Sequence, residues 1–424
     1  MKAFTLLLIA SMAALSASSW ADKPHTDIDK VTSLEVHYVT DEPCTNTIAY
    51  PTCHTWSNDG KSLFIESSRA RPDGTKLPKE RQLLKIDIAT GAVTHLATLE
   101  AEDVKPYGKA QFGVSSQFHF DYAPDANVLT YYDATGHNLY LLDVATGKSK
   151  RILHEPEGTI GDPPSISPDG KRVVYYALYR SIGNRFFGGN TSAIFALDVD
   201  PVKLEATGEP RIITAFAARA ETTQQRRMPD GVIINHCQVN PKDPDHYCYS
   251  HQFFSWGDKT PTYTRCWENK RGLDRPIVPS PEAGWQTHEL IGPLGKSLYL
   301  VEIHDVLAVD LRTRKKRIIF NDRTKKATHI TVSPDENWIA ADMWDDLKTD
   351  KDGCHGSGIL LIEAATGKSK LLCRIPRGNV HPRHPHPNFS PDGKKIAFVT
   401  AQGETGSQVA YIDITETVRN WDKN

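Results

Sequence analysis

Histidines concentrate near the carboxyl end of the chain in a pattern that could bind a metal ion. His381, His384 and His386 lie within six residues, directly before a Ser-Pro-Asp-Gly turn. Prolines flank His384, so the segment is expected to be extended, with residues 384 and 386 pointing to the same side. Neutral imidazoles are good ligands for divalent cations, and His329, which precedes another such turn, is expected to complete the site. An exposed polar loop is the alternative interpretation.

A second group of residues, further toward the amino end, could supply acid–base chemistry. Its members each lie near a turn, and they are His236, His251, Arg265 and His288. Taken singly, each could be an ordinary structural residue. Together with a metal site, they favour a centre that transfers protons. His246 is expected in an exposed turn, and we leave it out of the site.

One repeated pattern must position these residues. A Ser/Asn-Pro/Asn-Asp-Gly type of turn is followed at once by a run of alternating apolar residues, which predicts a strand. Proline fixes φ at the first turn position, aspartate caps the turn, and glycine adopts positive φ. The seven copies begin at Ser57, Ala123, Ser167, Asn240, Gly292, Ser333 and Ser390. Such units, with four short strands each, predict an all-β fold, a seven-bladed β-propeller. The longest intervals predict loop insertions at 102–122 and 201–235.

The amino terminus predicts export. Lys2 is followed by a short apolar run, and Ser19-Trp20-Ala21 matches the small-x-small pattern of a signal peptidase site. Residues 1–21 are therefore expected to be a signal peptide and residues 22–424 a single domain, periplasmic or secreted. The sequence of that domain contains no run of transmembrane length. In an oxidising compartment, Cys44 and Cys53 could bridge a loop.

The charge balance restricts the class of partner. Fifty basic and fifty-two acidic residues give a formal net charge of −2. Nucleic acids and anionic membranes bind proteins with a basic face, so neither is expected as a partner.

The motifs, in this order along the chain, resemble those of the oligogalacturonate lyases, a family of polysaccharide lyases. The similarity extends from Thr52 to Asp413 and covers nearly the whole mature chain. The segments that carry it are Asn235-His236 to Cys248-Tyr-Ser-His251, Thr264-Arg265-Cys-Trp267, Gln286-Thr287-His288-Glu289, Thr328-His329 and His384-Pro-His386-Pro-Asn-Phe-Ser-Pro-Asp-Gly393.

The resemblance implies a seven-bladed propeller that cleaves uronate oligosaccharides by β-elimination. It implies that His288 is the catalytic base and that Arg265 neutralises the substrate carboxylate. It also implies one divalent metal, Mn²⁺, with ligands at His329, His381, His384 and His386; the family has glutamine at the position of His381. An all-imidazole set would equally suit Zn²⁺, Ni²⁺ or Co²⁺. His236 and His251 are candidates for substrate binding.

Other functions are compatible with parts of the sequence. The segment His251-Gln252-Phe253-Phe254 departs from the family pattern, so a lyase for another uronate polymer, such as ulvan, is an alternative. His119 and His137 could serve such a site. A non-catalytic, TolB-like periplasmic binding propeller would share the repeated turn, but it has no need for four converging imidazoles. A propeller-bearing serine peptidase would need a Gly-x-Ser-x-Gly motif, which the sequence lacks.

Overall fold

The computed structural model describes residues 21–76, 80–100, 119–155, 158–180, 190–217, 231–254, 263–278, 286–344, 357–376, 383–402 and 406–423. The strands formed by these residues are grouped in seven antiparallel sheets. The predicted seven-bladed β-propeller is therefore confirmed. Residues 1–20 lie outside the described residues, so the signal peptide stays a prediction.

The first half of the chain forms two leading strands and three blades. The leading strands are β1 (His25–Ile28) and β2 (Glu35–Tyr38). Blade 1 contains β3 (Asn46–Ile48), β4 (Ser62–Ser67), β5 (Arg81–Asp87) and β6 (Val93–Leu99). Blade 2 contains β7 (Phe120–Ala123), β8 (Val128–Tyr132), β9 (Asn138–Asp143) and β10 (Ser149–His154). Blade 3 contains β11 (Gly158–Ile166), β12 (Arg172–Arg180), β13 (Asn190–Asp200), β14 (Glu205–Ala206) and β15 (Arg211–Ala217).

The second half of the chain forms the other four blades. Blade 4 contains β16 (Gly231–Asn240), β17 (Asp243–Phe254), β18 (Tyr263–Lys270) and β19 (Leu273–Pro276). Blade 5 contains β20 (Gln286–Ile291), β21 (Ser297–Glu302), β22 (Asp305–Asp310) and β23 (Lys316–Phe320). Blade 6 contains β24 (Lys326–Val332), β25 (Trp338–Trp344), β26 (Ser357–Glu363) and β27 (Ser369–Arg374). Blade 7 contains β28 (Asn388–Phe389), β29 (Lys395–Gln402) and β30 (Gly406–Asp413).

Helices are short in the described part of the chain. An α-helix, α1 (Thr415–Arg419), follows the last strand, and a 3-10 helix occupies Trp421–Lys423. Neither has the length and apolar character that a membrane-crossing helix requires.

Strands from both ends of the chain close the ring of blades. In blade 7 the strand order is β1-β2-β30-β29-β28. Strand β2 pairs antiparallel with β30, with His37 opposite Tyr411. The amino-terminal strands therefore complete the outer part of the last blade, which holds the propeller closed.

The first strand of each blade lies next to the axis. Strand β16 contacts β20, β20 contacts β24, and β24 contacts β28, so these strands form a continuous inner ring. Because the inner strands of neighbouring blades touch, residues on them can combine into one site even when they are far apart in sequence.

The repeated turn has the structure that its residues predict. In blade 7, Ser390 Oγ donates a hydrogen bond to Asp392 Oδ1 at 2.6 Å and accepts one from the Lys395 backbone N–H at 2.9 Å. Gly393 has φ of +69°, a conformation that glycine adopts without steric cost. The same hydroxyl–carboxylate bond links Ser333 to Asp335 in blade 6. These turns fix where each inner strand ends.

The hydrophobic core is divided into seven clusters, one at each interface between neighbouring blades. At the interface of blades 5 and 6, for example, Val301 and Val306 pack with Ile330 and Ile339, all of them buried. Each fully buried aliphatic side chain contributes roughly 1.5–3 kcal/mol. The interfaces therefore hold the inner strands rigidly with respect to one another.

Three expectations from the sequence are wrong in detail. The 201–235 segment is not a loop throughout, because β15 pairs with β13 as a strand of blade 3. Cys44 and Cys53 form no disulfide bond; the Cys44 thiol lies 3.4 Å from Ser67 Oγ. His246 is buried rather than exposed, since its ring is within 2.7 Å of the buried Glu268 carboxylate.

Candidate active site

One position in each blade, four residues before the repeated turn, brings histidine rings from different blades together. We call these seven positions, one from each blade, the axial layer. Its members, from blade 1 to blade 7, are Cys53, His119, Pro163, His236, His288, His329 and His386. Five of the seven are histidines, so imidazoles from different blades line the axis at one level.

The backbone is irregular where these histidines lie. The pairing of the inner strand shifts register at Asn235/Gln238 in blade 4, at Thr287/Leu290 in blade 5 and at Ala327/Ile330 in blade 6. His236 and His288 have φ of +53° and His386 has φ of +46°. Positive φ is uncommon outside glycine, and strained residues of this kind cluster at functional sites. The bulges leave these histidines out of the regular strand pairing and mark the axial layer as a candidate site.

Three histidines form a cluster that can hold a metal ion. Each of His329, His384 and His386 offers one ring nitrogen, and these nitrogens lie within 4.8 Å of one another. His329 and His386 are buried, and His384 is partly exposed. Three converging imidazoles are a donor set suited to a divalent transition-metal ion, with positions left open for other ligands. We call these residues the metal triad.

The convergence of residues 384 and 386 has a different cause from the one predicted. The segment before Asn388 is not a strand, and the positive φ of His386 turns its backbone away from an extended conformation. Despite this, the ring centroids of His384 and His386 are 5.7 Å apart, and both rings are close to His329. His381, the fourth predicted ligand, lies outside the described residues.

Asp342 orients His329. Its carboxylate accepts two hydrogen bonds from this histidine, one from the backbone N–H at 2.7 Å and one from ring Nδ1 at 2.8 Å. Asp342 comes from β25, the second strand of the same blade, and is fully buried. A carboxylate on one ring nitrogen fixes the tautomer and leaves the other nitrogen, Nε2, as the metal donor.

His288 lies beside the metal triad with its ring fixed in one tautomer. The ring centroids of His288 and His329 are 4.0 Å apart. Nδ1 of His288 donates a hydrogen bond of 2.6 Å to the backbone carbonyl of Thr328. Because Nδ1 carries the hydrogen, Nε2 of the neutral ring has the lone pair and can accept a proton.

His236 faces a buried carboxylate on the neighbouring blade. Its Nδ1 is 3.4 Å from Glu289 Oε1, and Glu289 is fully buried. Glu289 also accepts a hydrogen bond from Ser250 Oγ. On the other side, the ring of His236 is 5.3 Å from the ring of Tyr50. The ring of His236 therefore lies between Glu289 and Tyr50 within the axial layer.

His251 belongs to an aromatic stack within blade 4. Its ring lies 4.4 Å from that of Trp267, nearly parallel, and 5.6 Å from that of Tyr249. Burial lowers the pKa of His251 to about 4, so the ring is neutral at neutral pH. Residue 251 pairs directly with Arg265 across β17 and β18. The side chain of Arg265 lies outside the described part of the chain, so its predicted role stays a prediction.

The two histidines considered for another substrate are separated in the structure. His119 is a buried member of the axial layer, and its ring Nδ1 donates to Glu66 at 2.8 Å. Burial alone would raise the pKa of Glu66, but the charge and hydrogen bonds of His119 outweigh it and lower this pKa. His137 instead contacts the backbone carbonyl of Glu155 at 2.9 Å, next to β9 and β10. Only His119 therefore lies on the axis.

The sequence assigned no role to four residues of this region: Tyr50, Glu66, Glu289 and Asp342. Three of them are carboxylates, each of which faces one histidine of the axial layer. Glu289 directly follows His288 in a motif noted above, whereas no local motif marks Tyr50, Glu66 or Asp342. The membership of His119 could have been found by counting back four residues from every turn.

Comparison with known proteins gives structural matches only. No protein-family model and no curated protein sequence matches the chain. Among solved structures, an oligogalacturonate lyase from Vibrio parahaemolyticus is similar with a TM-score of 0.70 and 17% identity, covering 93% of this chain and 97% of that one. An oligogalacturonate lyase in complex with manganese gives 0.70 and 18% identity, covering 94% and 97%.

Propellers of other enzymes are less similar. A puromycin-hydrolysing peptidase from Mycobacterium tuberculosis has a TM-score of 0.54 at 13% identity, and the match covers 87% of this chain but 55% of the peptidase. The two lyases, in contrast, match over nearly their whole length. The chain thus has the seven-bladed propeller fold of the oligogalacturonate lyases, as its motifs predicted.

Proposed function

We propose that the protein is a carbon–oxygen lyase that cleaves uronate-containing oligosaccharides by metal-dependent β-elimination. Oligogalacturonate is the favoured substrate, because the fold and the order of motifs are those of oligogalacturonate lyases. The observation that carries the proposal is the position of His288, a proton acceptor whose ring lies 4.0 Å from that of a metal-triad histidine.

The reaction needs a base and a means of neutralising charge. The hydrogen at C5 of a uronate is barely acidic while the adjacent carboxylate carries its negative charge. A divalent cation held by His329, His384 and His386, with His381 as the proposed fourth ligand, supplies a Lewis acid for that carboxylate. Arg265 is proposed to bind the same carboxylate through its guanidinium, which can form two parallel hydrogen bonds.

His288 is proposed to remove the C5 hydrogen through Nε2. The Thr328 carbonyl holds Nδ1 and stabilises the positive charge that the ring gains. As the C5–H electrons form the C4–C5 double bond, the C4–O4 bond breaks and the departing oxygen takes a proton from water. The product is an unsaturated uronate at the new chain end.

His236 and His251 are proposed to contribute to substrate binding. His236 is supported by its place in the axial layer and its partial exposure. His251 is supported only indirectly, because its ring is buried in the stack with Trp267. We place His251 at the wall of the site, beside the position of Arg265 on the paired strand.

The metal is proposed to be Mn²⁺, because one of the similar lyases was solved in complex with manganese. Zn²⁺, Ni²⁺ and Co²⁺ are alternatives that imidazole ligands bind at least as well as Mn²⁺. The predicted signal peptide would take the protein to the periplasm or outside the cell, where uronate oligomers would be its partners.

Ultraviolet absorbance of the unsaturated product tests the proposal. Purified protein is incubated with oligogalacturonate, ulvan oligomers and other uronate oligomers, each with added Mn²⁺. Absorbance that rises with oligogalacturonate alone supports the full proposal. A rise with ulvan alone retains the lyase and replaces its substrate. Binding of an oligomer without any new absorbance would favour a binding propeller.

A further inference from the structure

Tyr50 lies across the axis at the level of the histidines. It follows β3, the inner strand of blade 1, yet its ring is 5.3 Å from that of His236 in blade 4. It is also 5.4 Å from the ring of His386 in blade 7 and 6.0 Å from that of His329 in blade 6. Blades 1 and 4 stand on opposite sides of a seven-membered ring, so a side chain that connects them spans the channel.

A cavity along the axis lies next to Tyr50 but does not include it among its lining residues. On the side of the repeated turns, this cavity of about 330 Å³ follows the axis and is lined by the turn prolines of six blades. Pro51 and Cys53, close to Tyr50 in sequence, line this cavity, and none of the metal triad does. Tyr50 itself is only 6% exposed. Its buried ring therefore packs among the histidine rings and is not part of the cavity lining.

The ring of Tyr50 restrains the histidine rings that it contacts. Tyr50 meets His329 edge-on, at an interplanar angle of 86°, and meets His386 at 55°. A rigid aromatic ring packed on two of the three metal-triad members limits the rotamers that they can adopt. Ligands held in their binding geometry before the ion arrives bind it more tightly, because less freedom is lost on binding.

We propose that Tyr50 is a positioning residue for the metal triad. Its ring packs on His329 and His386 and holds them in their binding orientation. The role rests on the proposed function in one respect, namely that the triad binds a divalent cation. It assigns no proton transfer to Tyr50, so the aromatic ring and not the hydroxyl is the active feature.

Cobalt titration of three variants tests this role. Co²⁺ binding is measured by calorimetry and by the visible spectrum of the bound ion, which reports ligand geometry. Tyr50→Phe keeps the ring, and we expect its Kd within twofold of wild type. Tyr50→Leu removes the ring, and we expect Kd to rise about 10-fold, the lower end for loss of a group that orients ligands. Tyr132→Leu is the matched control.

Tyr132 is a suitable control because it is also fully buried and also packs on an axial-layer histidine. Its ring is 4.7 Å from that of His119, which is not in the metal triad. Tyr132→Leu should therefore lose thermal stability while binding Co²⁺ like wild type. If Tyr50→Leu does not fold, Tyr50→Met, which fills more of the space, replaces it.

The outcomes separate this role from the proposed function. Equal Co²⁺ affinity in wild type and Tyr50→Leu overturns the role of Tyr50 and leaves the metal site standing. Weakened binding in Tyr50→Phe overturns it too, because the hydroxyl would then be the active group. Equal weakening in Tyr132→Leu would show a general loss of stability. No Co²⁺ binding by wild type would overturn the metal site itself and, with it, this role.

Discussion

His288 and His329 lie on the inner strands of adjacent blades with their ring centroids 4.0 Å apart. Each ring is fixed by a different acceptor on its Nδ1: the Thr328 carbonyl for His288 and the Asp342 carboxylate for His329. Either acceptor places the hydrogen on Nδ1 and the lone pair on Nε2, and the two histidines differ in that only His329 belongs to the metal triad. The two neighbours are thereby prepared for different tasks, and the division underlies the predictions that follow.

The role of His288 as base predicts that His288→Ala loses activity without losing the metal. Removal of a general base typically lowers kcat by about 10²–10⁴-fold. The half-buried ring contributes little to the core, so the thermal midpoint should change only slightly. Product absorbance, metal content and thermal unfolding are measured on the same preparation. His137→Ala is the control, since the ring of His137 contacts the backbone carbonyl of Glu155, next to β9 and β10, and not the metal triad.

Activity of His288→Ala within tenfold of wild type would mean that another residue is the base. Loss of the metal or of the fold in this variant would instead make His288 a ligand or a structural residue.

Asp342→Asn is expected to weaken metal binding. Asparagine keeps the size of the side chain but removes the charge that orients His329 and increases its basicity. The affinity for Mn²⁺ should fall by about 10–100-fold, the usual effect of losing such a partner. Titration calorimetry with Mn²⁺ measures the change.

Glu66→Gln is the matched control for that experiment. Glu66 binds both the backbone N–H and the ring Nδ1 of His119 with the same geometry, at 2.5 and 2.8 Å. Because His119 is outside the metal triad, this variant should bind Mn²⁺ as wild type does. Equal weakening in both variants would contradict a specific role of Asp342.

Arg265→Lys is expected to lose most of its activity although the charge is kept. A lysine ammonium cannot form the two parallel hydrogen bonds that a guanidinium offers to a carboxylate. We expect kcat/KM to fall by about 100-fold, as when an oriented donor to a developing charge is lost. Steady-state kinetics on oligogalacturonate measure it. Near-normal kcat/KM would remove Arg265 from the catalytic site.

The buried ring of His251 should make the free energy of unfolding depend on pH. Burial lowers its pKa to about 4 in the folded protein, whereas the unfolded chain has a pKa of about 6.5. Between these values the unfolded state binds more protons, so this residue makes the free energy of unfolding rise with pH. The contribution of His251 to the free energy of unfolding is complete above about pH 6.5 and is lost as pH falls toward 4. It amounts to at most about 3 kcal/mol.

His251→Phe tests that dependence because it keeps a ring against Trp267 and removes the titrating group. Urea unfolding of both proteins is compared between pH 4 and 7. As pH falls, the free energy of unfolding of the wild type should decrease more than that of the variant. A constant difference across this range would show that His251 does not titrate in a buried environment.

The blades were predictable from sequence because each begins with a turn whose residues act locally. In blade 7 the Ser390 hydroxyl donates to the Asp392 carboxylate, and Gly393 supplies the positive φ that the turn needs. These interactions lie within four residues, so the local sequence is enough to specify the turn. The histidines of the metal triad were also predictable, since His384 and His386 directly precede one repeated turn and His329 lies on the inner strand before another. Counting back from the turns extends this to His119.

The partners of those histidines were not predictable, because they come from other strands and blades. Asp342 reaches His329 from β25, Glu289 reaches His236 from blade 5, and Tyr50 crosses the axis from blade 1. The error at His246 has the same origin. Its ring is buried by Glu268, which is twenty-two residues away and lies on the paired strand β18.

The most direct measurement of the central claim is the rate at which unsaturated product forms from oligogalacturonate before and after metal removal. Purified protein is treated with a chelator, dialysed, and assayed without metal and with Mn²⁺, Zn²⁺ or Co²⁺ restored. We predict rising ultraviolet absorbance with the metal-loaded protein, near loss of activity after chelation, and recovery when one divalent ion per chain is returned. Full activity in the metal-free protein, or no product from any uronate oligomer with metal restored, would contradict the central claim.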